Sequence, residues 1–341
     1  MTSYCFFSIA IIGLLLSFLT AGSRVESIGV CYGMNGDHLP PPSEVIDLYQ
    51  SSNIERIRLY DPNQEALEAL KCSGIAVLLG IPNSDLYSLA NDSSAASTWI
   101  QNNIQSFSSE VHFRYIAVGN ELIPDCEAQY ILPAMQNLQN ALQFAGLQDQ
   151  IKVSTAVSMG VLATSYPPST GAFSSDVIDI LQPIISFLAI NGAPLLANIY
   201  PYFSYVDDTQ DISIEYALFT SPGTVVTDPN SQLSYQNLFD ASLDALYSAL
   251  EKAGGADVAV VVSETGWPSD GGTAATAENA QTYISNLVHH VGQGTPKRPG
   301  WIEAYIFAMF DENQKQPQGI QNHFGLFTAD KQPKYTIMSY K

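Results

Sequence analysis

The chain predicts a single-domain α/β fold, a (β/α)8 TIM barrel. Eight apolar β-type runs recur along the sequence, stretches of helical periodicity separate them, and no linker or low-complexity tract divides the series. The runs are mostly continuous rather than alternating, and several are rich in Val, Ile and Tyr. That is the pattern of parallel strands buried on both faces.

The predicted strands cover 28–33, 54–60, 75–81, 115–121, 151–157, 194–203, 258–267 and 303–310. A helix over 43–51 starts at a Ser cap behind Pro40-Pro41-Pro42, and one over 63–71 carries Leu67 and Leu70 three apart. Helices follow over 94–107, 127–145, 174–190, 235–253 and 276–291, with Gly146 and Gly254 where C-caps belong. The longest irregular stretch, 204–233, is rich in Asp, Tyr, Ser and Pro and is expected above the barrel mouth.

Of the 341 residues, 46% are hydrophobic and 13% charged, and the formal net charge is −20. That balance argues against nucleic acid as a partner and against adhesion to anionic membranes, while a neutral ligand is not repelled. Residues 1–27 read as a secretory signal. Apolar Phe6 to Leu19 is interrupted only by Ser8 and Ser17, and small Ala21, Gly22 and Ser23 follow, although 1–5 lack Lys and Arg. Cleavage after Ser23 and after Ser27 both fit. Loss of 1–27 removes Arg24 and Glu26, leaves the net charge unchanged, and leaves 28–341 as the barrel domain. Cys5 departs with the signal; Cys31, Cys72 and Cys126 are an odd number, so one at least is unpaired within the chain. Asn91-Asp92-Ser93 is a glycosylation sequon.

Two strands end in a glutamate: Ile116-Ala117-Val118-Gly119-Asn120-Glu121, and Val258 onward to Val262-Ser263-Glu264. Desolvating a charge costs several kcal/mol unless it is paired, so a carboxylate at a buried strand tip needs a reason. Glu121 closes the fourth strand and Glu264 the seventh, and a barrel of this kind builds its active site at the C-terminal ends of its strands. Both therefore face one cavity, and paired carboxyls are the equipment of glycoside hydrolysis. The histidines are scattered, and neither H-E-x-x-H, C-x-x-C, G-x-S-x-G nor a P-loop occurs, so neither metal nor cofactor is expected.

Nearly all of 28–341 resembles the plant endo-β-1,3-glucanases of glycoside hydrolase family 17. The most specific match is Val260-Val261-Val262-Ser263-Glu264-Thr265-Gly266-Trp267-Pro268-Ser269. Ile28-Gly29-Val30-Cys31-Tyr32-Gly33, Arg58-Leu59-Tyr60-Asp61-Pro62, Val118-Gly119-Asn120-Glu121, Met309-Phe310-Asp311-Glu312-Asn313-Gln314-Lys315 and Phe324-Gly325-Leu326-Phe327 also fit. The resemblance implies a (β/α)8 barrel that hydrolyses β-1,3-glucan with retention, with Glu264 as nucleophile and Glu121 as acid/base. Retention needs two carboxyls roughly 5–5.5 Å apart, and the negative charge of one raises the pKa of the other.

Asn120 can donate to a sugar 2-OH or can satisfy backbone. Glu312 and Lys315, three apart, can form a local ion pair or, as in the family, act as site residues. Tyr60, Tyr200 and Trp267 are the candidate sugar platforms, because apolar C–H faces of a pyranose pack on aromatic rings. Several relatives carry a glutamate where Gln321 stands. The expected partner is a β-1,3-glucan (callose, laminarin-type or fungal wall glucan) and the expected state a monomer. A mixed β-1,3/1,4-glucanase and a non-catalytic glucan-binding protein are the alternatives. Some relatives carry a vacuolar C-terminal extension; this chain stops at Lys341 with no such tail, so export to the apoplast or cell wall is expected ahead of the vacuole.

Overall fold

The computed structural model describes residues 28–336, so the expected signal segment lies outside the described residues. Eight parallel strands close into a barrel: β1 Gly29–Tyr32, β2 Arg56–Leu59, β3 Ala76–Ile81, β4 His112–Asn120, β5 Lys152–Ser158, β6 Leu195–Asn198, β7 Val260–Thr265 and β8 Ala304–Ile306. Neighbours follow chain order, and β8 closes the ring on β1 through Gly29↔Tyr305 and Val30↔Ile306.

Around the barrel lie α1 Pro42–Ser51, α2 Gln64–Leu70, α3 Leu86–Asn91, α4 Ser93–Ile100, α5 Ile131–Ala145, α6 Ser175–Asn191, α7 Pro201–Asp207, α8 Ile214–Ala217, α9 Leu238–Lys252 and α10 Ala277–His290. Local chemistry sets several of their ends. Asn63, Asp92, Asn237 and Thr276 each accept a backbone N–H in the first turn of α2, α4, α9 and α10. Gly146 and Gly192, both left-handed, close α5 and α6.

Strand alternation sorts the core into two shells. Ile57, Leu59, Val77, Leu79, Val260 and Val262 belong to the cluster that packs against the helices. Cys31, Leu78, Ala117, Leu196, Val261 and Tyr305 fill the barrel interior. Cys31 is a buried small hydrophobe, as its strand context predicts, and burial pushes its thiol up to about 12. Cys31, Cys72 and Cys126 are all free.

Three expectations need correction. The run over 194–203 is strand only to Asn198; Pro201 then opens α7, because a proline is preorganised for a first helical turn. The stretch over 204–233 is not wholly irregular: it holds the end of α7, α8 and half of a short antiparallel ribbon, Val226–Thr227 against Ser234–Tyr235. An extra helix, α3, occupies 86–91 between the third strand and α4.

Two buried aspartates fasten loops and set a pH range. Asp228 accepts Ser169 N (2.7 Å), Ser169 Oγ (2.8 Å), Asn230 N (2.9 Å) and Ser231 N (3.1 Å). Burial works to raise its pKa, and these donors outweigh it and hold Asp228 at about 2. Asp244 accepts the Thr295 hydroxyl and Lys297 N (2.9 Å), yet burial pushes it up to about 6. The Asp228 contribution is present above the ordinary aspartate value of 3.8 and lost as pH falls towards about 2. The Asp244 contribution is fully present below 3.8 and lost as pH rises through about 6. From these two groups, thermal melting is expected to be highest near pH 3.8 and to decline from there towards about 6. Melting temperatures that climb steadily from pH 5 to pH 8 would contradict it.

Candidate active site

A cavity of about 940 Å³ opens at the C-terminal ends of the strands, and both strand-end glutamates line it. Glu264, on β7, is 6% exposed. Its Oε1 accepts from Tyr60 Oη (2.7 Å) and pairs with Arg58 Nη1 (2.9 Å), and its Oε2 accepts from Tyr200 Oη (2.6 Å). Two phenols and a guanidinium are what a carboxylate requires to stay charged when desolvated. Burial, first, and the Glu264 charge push both phenols well above the ordinary tyrosine value, so they remain donors.

Glu121 sits one residue past β4, and backbone irregularity aims it. The β4–β5 register shifts between Ala117 and Asn120, and Gly119 (φ 77°) and Glu121 (φ 52°) are both left-handed. Asn83 clamps the turn by accepting from Asn120 N (2.8 Å) and donating to Asn120 O (3.1 Å). A Cβ at Gly119 would stand 3.2 Å from that Asn83 oxygen, so glycine fits both the space and the φ. The Glu121 carboxyl accepts from Asn198 Nδ2 (2.9 Å). Its pKa is raised, by burial most of all and then by the charge of Glu264; Asn198, Arg58 and Lys315 pull the other way. One carboxyl thus has two phenols and a guanidinium against it, and the other is biased towards holding a proton.

Beneath them lies Arg58, 1% exposed. Besides Glu264 it donates to Asn198 Oδ1 (3.1 Å), Ser263 O (2.9 Å) and Asn120 Oδ1 (2.7 Å), and its guanidinium lies 4.6 Å from the Tyr60 ring centroid. Asn198 also donates to Asn120 Oδ1 (3.1 Å). With its carbonyl oxygen engaged twice, Asn120 is left with its NH2 for a ligand.

Glu312 and Lys315 line the cavity and pair at 2.6 Å, and Lys315 Nζ lies 4.3 Å from the Phe307 ring centroid. Glu312 also accepts from Asn35 N (3.1 Å). A Cβ on Gly33 would fall 2.3 Å from Glu312 Oε1, so only glycine at the end of the first strand leaves room for this carboxylate. Gln321 lines the cavity too.

Trp267 is a correction. It is 1% exposed, does not line the cavity, donates from its indole N–H to Ala274 O (2.9 Å) and stacks among Tyr202, Tyr205 and Tyr283. The peptide beyond β7 turns it into the shell between barrel and helices. Phe203, Phe307 and Phe324 join Tyr60 and Tyr200 in the cavity wall instead. Arg58 and Asn198 were not among the predicted site residues. The cue for Arg58 was a cation inside the apolar run Ile57-Arg58-Leu59; Asn198 had no comparable cue beyond its place at a strand end.

Among the described residues no cluster of three or more His, Cys, Asp or Glu side chains is placed to hold a metal, and no helix is long and apolar enough to cross a membrane.

Residues 28–339 match the family model described as glycosyl hydrolases family 17. A grapevine (Vitis vinifera) glucan endo-1,3-beta-glucosidase is 60% identical over 95% of this chain and 94% of its own length. A tobacco (Nicotiana tabacum) basic vacuolar isoform of glucan endo-1,3-beta-glucosidase is 52% identical over 97% and 90%. A structure from a study of two plant beta-glucan endohydrolases with distinct substrate specificities superposes with TM-score 0.88, at 47% identity over 92% of this chain and all of that one. With the closed barrel and two carboxyls meeting at its mouth, these matches lead to one assignment: the chain belongs to glycoside hydrolase family 17.

Proposed function

We propose that the protein is a secreted endo-glucanase that hydrolyses internal β-1,3-glucosidic bonds with retention, acting in defence or in wall and callose turnover. Residues 1–27 serve as its leader and 28–341 as a monomeric catalytic domain. The observation that carries the chemistry is the asymmetry of the two carboxyls: Glu264 faces a guanidinium and two phenols, while burial and Glu264 bias Glu121 towards its protonated form.

In this reading Glu264 attacks the anomeric carbon. The bond from that carbon to the leaving oxygen breaks, and Glu121 gives its proton to that oxygen. The glycosyl ester removes the charge on Glu264, so the pKa of Glu121 falls and it becomes a base. It then takes a proton from water, whose oxygen attacks the anomeric carbon and frees Glu264. Asn120 offers its NH2 to the sugar 2-OH, Tyr60 and Tyr200 support the ring, and the Glu312–Lys315 pair borders the bound chain. The β-1,3 preference is supported by the activity named for the grapevine relative.

The test is reducing-sugar release by purified protein from laminarin and from lichenan, with the first-formed anomer read by NMR. Rapid release from laminarin with the β-anomer appearing first is expected. Preference for lichenan would assign mixed-linkage activity, the reading that a study of plant endohydrolases with distinct specificities makes worth separating. No release from either by folded protein would overturn the enzyme reading.

A further inference from the structure

Outside the cavity lining, helix α3 carries an exposed aromatic that the hydrolytic site does not use. Tyr87, on this short surface helix, is 63% exposed. One side of it is braced by Tyr130, whose ring meets it edge-on with centroids 5.1 Å apart. One turn further along α3 stands Asn91, the acceptor position of the sequon Asn91-Asp92-Ser93. Residues four apart share a helix face, and here the two are joined, since Asn91 Nδ2 donates to Tyr87 O at 2.7 Å.

We infer that Asn91 carries an N-linked glycan and that the braced Tyr87 ring is the platform on which its first sugar packs. Asn91, Asp92 and Ser93 are all exposed, at the junction where α3 ends and α4 begins. The Asn91 amide donates to a carbonyl of its own helix, at that helix's last residue, and Asn91 is exposed, so releasing it leaves the core undisturbed. A pyranose linked there projects along the shared face, where its C–H surface meets an aromatic ring that Tyr130 already braces, so little further ordering is lost. Among the described residues none between Asp61 and Asn120 lines the cavity, so the glycan is attached outside its wall.

The modification balances with a lipid-linked diphospho-oligosaccharide as donor. The Asn91 nitrogen bonds to the anomeric carbon and loses one proton, and the lipid diphosphate leaves from that carbon. The inference rests on the proposed secretory entry, and the experiment separates the two. The full chain is expressed in plant cells with its own leader, and in parallel with 1–27 exchanged for another leader directed to the secretory pathway.

The peptide containing Asn91 is expected to carry a hexosamine-based glycan in both. A peptide amidase should release it and leave aspartate, and Asn91→Gln and Ser93→Ala should each abolish it. A modified peptide only with the exchanged leader would overturn the native leader and leave Asn91 standing. Secreted protein with unmodified Asn91 under both leaders would overturn the inference. For the platform, enzymatic removal of the glycan is expected to lower the melting temperature of the parent protein by about 1–3 °C more than that of Tyr87→Ala. Equal drops in the two would remove Tyr87 from the proposal.

Discussion

Glu264→Ala is expected to lower turnover of laminarin on the order of 10⁴-fold or more while the barrel stays folded. On the proposed mechanism the bond-forming atom is gone, and the Glu121 and Glu312 carboxyls are engaged elsewhere: Glu121 is bound to Asn198, and Glu312 is tied to Lys315 and Asn35 N. The fold survives because Arg58 keeps its bonds to Asn120, Asn198 and Ser263 O, and Tyr60 and Tyr200 face a cavity that water can enter. Formate or azide added to this variant with an activated aryl glucoside should restore bond cleavage and give a product of inverted configuration. Glu264→Gln has a second readout. It removes one of the two influences that raise the pKa of Glu121, so an NMR titration of Glu121 should shift downwards. Undiminished turnover by Glu264→Ala would refute the role, whatever the titration shows.

Arg58→Met is expected to cost about 3–5 kcal/mol of stability at neutral pH, the range for breaking a buried pair by removing one partner. The variant leaves Glu264 buried without its cation and strips Asn120 and Asn198 of the donor that holds their carbonyl oxygens. Denaturant unfolding measures the loss. In a Glu264→Gln background the same substitution should cost distinctly less, because no charge is then stranded. Arg58→Lys should recover little, since one ammonium cannot reach acceptors in four directions. A loss below about 0.5 kcal/mol for Arg58→Met would mean that water already compensates Glu264.

How far the site could be read in advance depended on what each residue costs where it sits. A carboxylate at the tip of an apolar run is anomalous by itself, so Glu121 and Glu264 stood out, and the strand count placed them together. Arg58 is the same kind of anomaly, a cation inside Ile57-Arg58-Leu59, yet its partners lie 62, 140, 205 and 206 positions away, on strands whose inward registers only the closed barrel fixes. Trp267 shows the opposite case. An aromatic beside a catalytic motif suits a sugar platform and a core equally well, and only the turn after β7 decides which way it points. The irregular look of 204–233 misled because its helices are only four and seven residues long, below the length at which periodicity is visible.

The seam between β1 and β8 has a meaning for synthesis. One wall of the cavity is assembled from the two ends of the barrel: Glu312 occupies the space that Gly33 leaves, Asn35 N and Asp37 N donate to Glu312 and Asn313, and Met309 N donates to Cys31 O. A ribosome delivers the 31–37 segment well before the 309–315 segment. A nascent chain that already contains both Glu121 and Glu264 therefore still lacks Lys315 and the wall around it. The cavity wall is therefore completed only by residues that follow the eighth strand.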